Sequence, residues 1–529
     1  MDEDIEDYAP VEPRDDIQSE VIVSKQPLMK SKQHSADVEE AKGSVPGTQS
    51  VYVKTYGCSH NISDGEYMEG MLSDYGYRIE SDPAQADLWL LNSCTVKDPS
   101  QAAFVNLVKK GKAENKHVVV AGCVPQGDKT IPTLDDVSQV GITQIDRVVE
   151  VVESTLAGEN VKLLKKKDLP RLDLPKKRKN RLVEIIPLST GCLGSCTYCK
   201  TKHARGVLGS YSPDAIVDRV KSVCSEPLSQ RVSEIWMTSE DTGAYGRDIG
   251  TDIGVLLKRV VAELPDADDE GSGGVMLRVG MTNPPYILEH LEVVAEVLNH
   301  PKVFAFLHVP VQAGSNRVLD AMRREYTVEE YRRVCDFLLE RVPGMTIATD
   351  IICGFPTETE SDFEKTMALV GDYRLAITNI SQFYPRPGTP AAKMKRINTQ
   401  VVKNRSRRLT KLFESFTPYT SLVAQRMKVW FCTEEGQDGE GRKCSVGHSK
   451  NYVKVLVPFD ASFPGRSRMV TVKRAFRFHV EAELDDDQAE GSVHVKANGA
   501  SHLFSTAILC GAVAIGAIAA IVVARRRVK

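Results

Sequence analysis

Three absences bound this chain of 529 residues. It has no apolar segment near its N-terminus, which argues against export. With twelve cysteines, that predicts a reducing, intracellular setting in which disulfides do not form. It has little net charge, only −3, but residues 1–20 hold nine acids and one base, so an acidic leader hides a mildly basic body. It has no long apolar run before residue 503. The fourth absence is local. Cys192, Cys196 and Cys199 fall within STGCLGSCTYCKT, and no fourth cysteine joins them. A structural zinc site takes four ligands, and so does an iron–sulfur cluster used only for electron transfer. Three thiolates on a four-iron cluster leave one iron open to a small molecule.

Hydrophobic content of 42% and charge of 26% are those of an ordinary globular enzyme, and the length allows several domains. Residues 1–49 are polar and lack apolar period, which predicts a disordered leader. Residues 50–164 then read as an α/β domain. Three apolar runs, SVYVKTYGC, DLWLLNSC and HVVVAGC, each end in a cysteine: Cys58, Cys94 and Cys123. The stretches between them have helical spacing, so the runs are parallel strands whose ligand sites lie beyond their C-terminal ends. One cysteine at a strand end is ordinary core; three at equivalent ends predict a second three-thiolate site.

Residues 165–181, with nine basic and two acidic residues and two prolines, read as a solvated basic linker or a phosphate-contacting strip. Residues 182–420 alternate strands and helices six times, a partial (β/α)6 barrel, and the cysteine trio follows its first strand, at the mouth where such folds place chemistry. Residues 421–485 read as a small β-barrel with bases and aromatics interleaved: Arg426, Lys428, Trp430, Lys450, Tyr452, Lys454, Lys473, Arg474, Phe476 and Arg477. Such a face suits RNA, and the preceding KMKRINTQVVKNRSRRLTKLF adds eight basic residues. After a linker at 486–502, residues 503–524 are uncharged, long enough to span a bilayer. Followed only by RRRVK, they predict a tail anchor that leaves the enzyme in the cytosol. Ala512, Gly516 and Ala520 form a small-residue ridge that could pair two anchors into a homodimer.

The motif C-x3-C-x2-C at Cys192, Cys196 and Cys199 resembles the signature of the radical S-adenosylmethionine superfamily. The order of parts resembles its methylthiotransferases, with TYGCSHN, LNSCTVKDPS, HVPVQAGSNRVLDAMRR and DIICGFPTETE fitting as well. TSEDTGAYGRD is similar to the eukaryotic branch acting on N6-threonylcarbamoyladenosine in tRNA. The resemblance covers residues 50–485. It implies two 4Fe–4S clusters as cofactors, one on Cys192, Cys196 and Cys199 that cleaves S-adenosylmethionine to methionine and a 5′-deoxyadenosyl radical, and one on Cys58, Cys94 and Cys123 that handles sulfur. It implies a C-terminal barrel of the TRAM type, tRNA as the partner and adenine C2 at position 37 as the target; it names no electron donor. It places Tyr198 against the cofactor adenine and Glu240, in Ser239-Glu240-Asp241, near the cofactor amino group, although the Gly-Gly-Glu of many relatives is absent here. Gly354-Phe-Pro resembles the turn beside the cofactor, but a turn after a strand needs no function. His308 suits core or site equally, and Cys224, Cys335, Cys353, Cys432, Cys444 and Cys510 read as structural. Eukaryotic relatives favour the endoplasmic reticulum membrane, and the basic residues after the span leave the mitochondrial outer membrane as the alternative. Rival readings are an isopentenyladenosine-type tRNA enzyme, a ribosomal-protein methylthiotransferase, and a non-catalytic iron–sulfur RNA-binding regulator, against which the intact trio argues.

Overall fold

Apolar runs that end in a cysteine do form strands. The computed structural model describes residues 49–95, 98–227, 229–266 and 274–485. Its first part is a sheet of β1 (Ser50–Thr55), β2 (Arg78–Glu80), β3 (Leu88–Ser93), β4 (His117–Gly122), β5 (Ser138–Val140) and β6 (Lys162–Leu163), ordered β2-β1-β3-β4-β5-β6. Every pairing is parallel. Helices cover both faces, so β3 is buried along its whole length. Leu88 and Leu90 pack with Met68, Leu72 and Val148, while Trp89 and Leu91 pack with Phe104 and Val108. The continuous apolar run of β3 is the signature of a strand covered on both sides.

The second part places β7 (Val183–Pro187), β10 (Glu234–Thr238) and β11 (Met276–Arg278) in one parallel sheet, and β12 (Phe306–His308), β13 (Thr346–Cys353) and β14 (Ile377–Gln382) in another. Between β7 and β10 lies a small antiparallel pair, β8 (Ser189–Thr190) with β9 (Gly209–Ser210). A bridge from Leu277 to Val303 joins the two sheets, and Phe304 N donates to Leu277 O at 2.9 Å. All six expected strands are present, forming the half-barrel. The third part, β15 (Arg426–Gln437), β16 (Lys443–Ser449), β17 (Lys454–Pro458), β18 (Ser467–Ala475) and β19 (Val480–Leu484), closes as a barrel in the order β15-β16-β17-β19-β18.

Two expectations are corrected. The basic run at 165–181 is not a solvated linker throughout. Lys176 is buried, its Nζ 3.2 Å from Glu66 and from Glu184, and it donates to Ser63 Oγ at 3.1 Å. Arg178 pairs with Glu184 and Glu226, and Arg219 with Glu184. Lysine heads enter a protein interior only when paired, and here acids from two domains pair with them; only Lys165, Lys166, Lys167, Arg171 and a few neighbours stay exposed. The barrel face Trp430–Lys450–Tyr452 is not an open RNA surface either. Trp430 and Tyr452 are buried against Phe304 and Phe306 of the half-barrel, and Lys450 donates to the carbonyls of Leu298 and Val303. Aromatic area on that scale is more stable in contact with another domain than in water.

The expected bilayer span at 503–524, with its ridge for a second copy, lies outside the described residues, as does the leader up to residue 48. Among the described residues no helix is long and apolar enough to cross a membrane.

Glu184 is fully buried. Burial alone would push its carboxyl up, but Arg219, Lys176 and Arg178 hold it well below the usual carboxylate range. Glu184→Ala would leave Arg219 without its acid and take one of two acids from each of Lys176 and Arg178, and the expected loss is roughly 3–5 kcal/mol in chemical denaturation at neutral pH. A change within about 0.5 kcal/mol, the range of ordinary surface substitutions, would show that the network does not hold the domains together.

Candidate active site

The sheet order makes β1, β3 and β4 adjacent, so the residues just past their C-terminal ends are neighbours. Cys58 caps the helix Ser59–Tyr75, Cys94 follows β3, and Cys123 opens the short helix Cys123–Gly127. The chain crosses very closely here. Gly57 has φ +99°, and a Cβ on it would lie 2.4 Å from Cys94 Sγ, so only glycine permits the approach. The Cys58 thiol is pushed well up by a hydrogen bond with Cys94 and by burial, and Cys123 is pushed up to about 11, chiefly by burial.

The second trio lies at the mouth of the half-barrel. Gly194 sits between two of its sulfurs: a Cβ there would be 3.7 Å from Cys192 Sγ and 3.8 Å from Cys196 Sγ. Burial pushes Cys192 up to about 12. Arg324, from the turn after the helix Asn316–Ala321, donates to Cys196 Sγ at 3.2 Å. It also bonds Asn283 and packs its guanidinium 5.0 Å from the ring of Tyr326. None of the six cysteines is in a disulfide. Among the described residues no three His, Cys, Asp or Glu side chains converge on the position of a single metal ion. Three thiols with an arginine beside them, Arg205 at Cys123 and Arg324 at Cys196, fit a polynuclear cluster in which each thiolate binds a different iron. A cationic cluster would reverse the upward shift that burial imposes on these thiols.

Five of the six cysteines line one cavity of about 1270 Å³, Cys58 and Cys94 from the first trio and Cys192, Cys196 and Cys199 from the second, joined from the barrel by His448, Tyr452 and Lys454. Cys123 is buried outside that lining. The two sites are held together by direct contact. The helix Cys123–Gly127 lies on the helix Thr201–Arg205, where a Cβ on Gly127 would be 3.1 Å from Ala204 Cβ. Lys200 Nζ donates to Gly127 O at 3.0 Å. Arg205 then reaches from the half-barrel into the first domain. It pairs with Asp64 at 2.7 Å and with Glu240 at 3.1 Å, and it hydrogen-bonds the Cys123 thiol.

Glu240 lines the cavity. Burial would push it up, but His60, with Nδ1 3.0 Å away, and Arg205 hold it below its ordinary value. Its Oε2 is buried without a hydrogen-bond partner. The neighbouring Asp241 is pushed up to about 6, chiefly by burial, although Asn283 Nδ2 donates to it at 2.7 Å. Tyr198 lines the cavity too and meets Phe355 edge-on at 6.4 Å. His308 proves to be a cavity residue, 2.9 Å from Asp350, which Asn379 also contacts. The Gly354 turn does not line the cavity; its amide donates to Glu358, which pairs with Arg405. Cys335, Cys353, Cys432 and Cys444 are buried away from both trios, Cys224 is half-buried, and Cys510 lies outside the described residues. Sequence reading missed Arg205, Arg324, Asp241 as a buried acid, and His60. Two signals were available: TYGCSHN places His60 two residues after Cys58, and DAMRR places Arg324 in a quoted motif.

Comparison with known proteins follows the same division. The family described as Uncharacterized protein family UPF0004 matches residues 50–140, and the Radical SAM superfamily matches residues 186–370. A threonylcarbamoyladenosine tRNA methylthiotransferase of Drosophila pseudoobscura pseudoobscura is 54% identical over 84% of this chain and 79% of its own length. The Homo sapiens protein of that name is 52% identical over 84% of this chain and 75% of its own. The chain belongs to the threonylcarbamoyladenosine tRNA methylthiotransferase family. A probable member from Pyrococcus abyssi is 36% identical over 82% of this chain and 99% of its own length. Membership in this radical SAM family makes the chain a transferase and assigns it a 4Fe–4S cluster and S-adenosylmethionine.

Gly127→Val tests whether the contact between the two short helices sets the spacing of the sites. Both helices must shift to admit the side chain, and misplacement by about 1 Å can cost on the order of 100-fold in rate. Methylthiolated nucleoside, measured by mass spectrometry, should fall far more than iron content does. Equal loss of both would mean that the variant only unfolds the first domain.

Proposed function

We propose that this chain inserts a methylthio group at C2 of N6-threonylcarbamoyladenosine at position 37 of tRNA. In this reading Cys192, Cys196 and Cys199 hold one 4Fe–4S cluster and Cys58, Cys94 and Cys123 hold a second. The observation that carries it is the single cavity lined by cysteines of both trios, Cys58 and Cys94 from one and Cys192, Cys196 and Cys199 from the other. Activation of a C–H bond and delivery of sulfur to the same carbon require two reactive centres within reach of one bound base. Adenine C2 bears no acidic proton, which suits radical rather than acid–base chemistry. When bound, the two clusters supply the electron that cleaves S-adenosylmethionine and an open iron that carries sulfur.

The chain's own residues do the rest. Glu240 has one oxygen committed to His60 and Arg205 and the other buried without a partner; an ammonium group such as that of S-adenosylmethionine would satisfy it. Tyr198, backed edge-on by buried Phe355, offers an aromatic surface beside the trio, suited to a purine face. Arg324 donates to Cys196, and a hydrogen bond to a ligating sulfur raises the potential of the site it serves. His308, Asp350 and Asn379 form a polar wall on the far side. The barrel closes the cavity from below with Tyr452 and His448, stacked 4.4 Å apart, which keeps bulk water from a reactive intermediate.

Residues 503–524 are proposed as a tail anchor in the endoplasmic reticulum membrane, with the catalytic domains in the cytosol and the mitochondrial outer membrane as the alternative. The support is the uncharged run itself.

Anaerobically reconstituted protein should hold about eight irons. Alanine at Cys192, Cys196 and Cys199 should remove about half and abolish 5′-deoxyadenosine formation. Alanine at Cys58, Cys94 and Cys123 should also remove about half but leave 5′-deoxyadenosine measurable while methylthiolated product disappears. Four irons in the unaltered protein, or full modification by the second variant, would sink the two-cluster reading.

Deleting residues 503–529 should release the enzyme from membranes without detergent and leave activity on tRNA in vitro. A tail-deleted protein that still pellets with membranes would refute the anchor.

A further inference from the structure

The basic residues of the C-terminal third fall into two kinds. On the outer barrel, most cations have their own acids; Lys428, over the Trp430 ring at 5.4 Å, and Arg466 are exposed without one among the described residues. Arg426 meets Asp485 at 2.6 Å, Lys443 meets Glu435 at 2.8 Å, Lys473 meets Glu483 at 3.0 Å, and Arg474 pairs with Glu481. Arg477 donates to the carbonyls of Phe413 and Ala376. Apart from Lys428 and Arg466, these charges are neutralised or occupied.

The helix Thr399–Glu414 differs. Its inner side, Val402, Arg405, Leu409 and Phe413, is buried. Arg405 pairs with Glu358 and Glu360, and Arg408 with Glu360 and Glu364. The outer side carries Lys403, Arg407 and Lys411, all exposed and without an acidic partner among the described residues. Exposed Lys393, Lys395 and Arg396 precede them. At 3.6 residues per turn, Lys403, Ser406, Arg407, Thr410, Lys411 and Glu414 share an arc of roughly 140°. Ser406, Thr410 and Glu414 line the cavity, so the row of unmatched cations runs beside its entrance. Two other lining residues are large aromatics open to solvent: Tyr384, 45% exposed, and Phe478, 58% exposed.

We propose that this helix, more than the acid-paired strands of the barrel, is the surface on which the tRNA backbone lies. Its phosphates follow Lys403, Arg407 and Lys411, and Tyr384 and Phe478 stack on bases unstacked beside the target adenine. The proposal rests on the tRNA reading above. Cations held together without counter-charge repel one another, and a polyanion relieves that repulsion while releasing its own counterions. Aromatics at the entrance give a splayed base a face to stack on before it enters the cavity, and stacking accepts any base.

The test compares two triple variants of the full-length chain in detergent, titrated with unmethylthiolated tRNA at several salt concentrations. In K403E/R407E/K411E, affinity at low salt should fall about tenfold or more, and the slope of log K against log salt should shrink by about 2 to 3. K443E/K473E/R474E, which reverses an equal number of acid-paired barrel charges, should change both much less. Unchanged thermal midpoints exclude unfolding in either. Y384A/F478A should weaken binding with the salt slope intact, and Y384F/F478Y should restore it. The proposal is overturned if the helix variant binds with unaltered affinity and slope, or if the barrel variant suffers the larger loss. If the unaltered chain binds no tRNA at low salt, the substrate reading fails, and this surface with it.

Discussion

Arg205 is the constraint on which the remaining geometry depends. Its guanidinium is buried between two domains and faces Asp64, Glu240 and the thiol of Cys123. A buried cation is tolerated only when paired, so three groups from two domains are drawn to one point. Cys123 belongs to the first cysteine site, Glu240 lines the shared cavity, and Arg205 ends the helix that starts just after Cys199. One side chain thus ties the position of each trio to that of the other. A rigid tie of this kind suits a reaction in which two centres must reach the same carbon, because orientation is fixed before the substrate arrives.

The Lys176, Arg178, Arg219, Glu66, Glu184 and Glu226 network acts in the same direction on the same helix, Ser59–Tyr75. It converts what reads as a linker into a buried strap between the helix Ser59–Tyr75 and β7. Buried ion pairs contribute less to stability than apolar contacts of equal volume, but they punish any other arrangement by leaving a charge alone. Two such clusters on one helix argue that the structure is built for a fixed relation between domains more than for maximal stability.

What was legible in the sequence follows from what local chemistry dictates. Strand ends at Cys58, Cys94 and Cys123 were legible because a buried parallel strand must be continuously apolar and must stop where polar residues begin. Six β/α units were legible for the same reason, and the cysteine trio after the first of them had a spacing that few other chemistries require. The short strands β2, β5 and β6 were not, because two or three residues carry no period. The burial of Lys176, Trp430 and Tyr452 was invisible because it depends on partners distant in sequence: Glu184, Phe304 and Phe306. A basic run reads as solvated until its acids are found, and an aromatic on a barrel reads as exposed until another domain covers it.

That failure explains where the RNA surface belongs. Composition alone cannot separate a cation that neutralises an internal acid from one that awaits a phosphate, since both are simply lysine or arginine. The structure separates them by pairing. Arg405 and Arg408 on the inner and lateral sides of one helix are consumed by Glu358, Glu360 and Glu364, while Lys403, Arg407 and Lys411 on its outer side are not. The same economy applies to the aromatics: Trp430 and Tyr452 are used up in docking the barrel, whereas Tyr384 and Phe478 stay open at the cavity entrance. The barrel also helps form the reaction chamber, with His448, Tyr452 and Lys454 among the residues that line it.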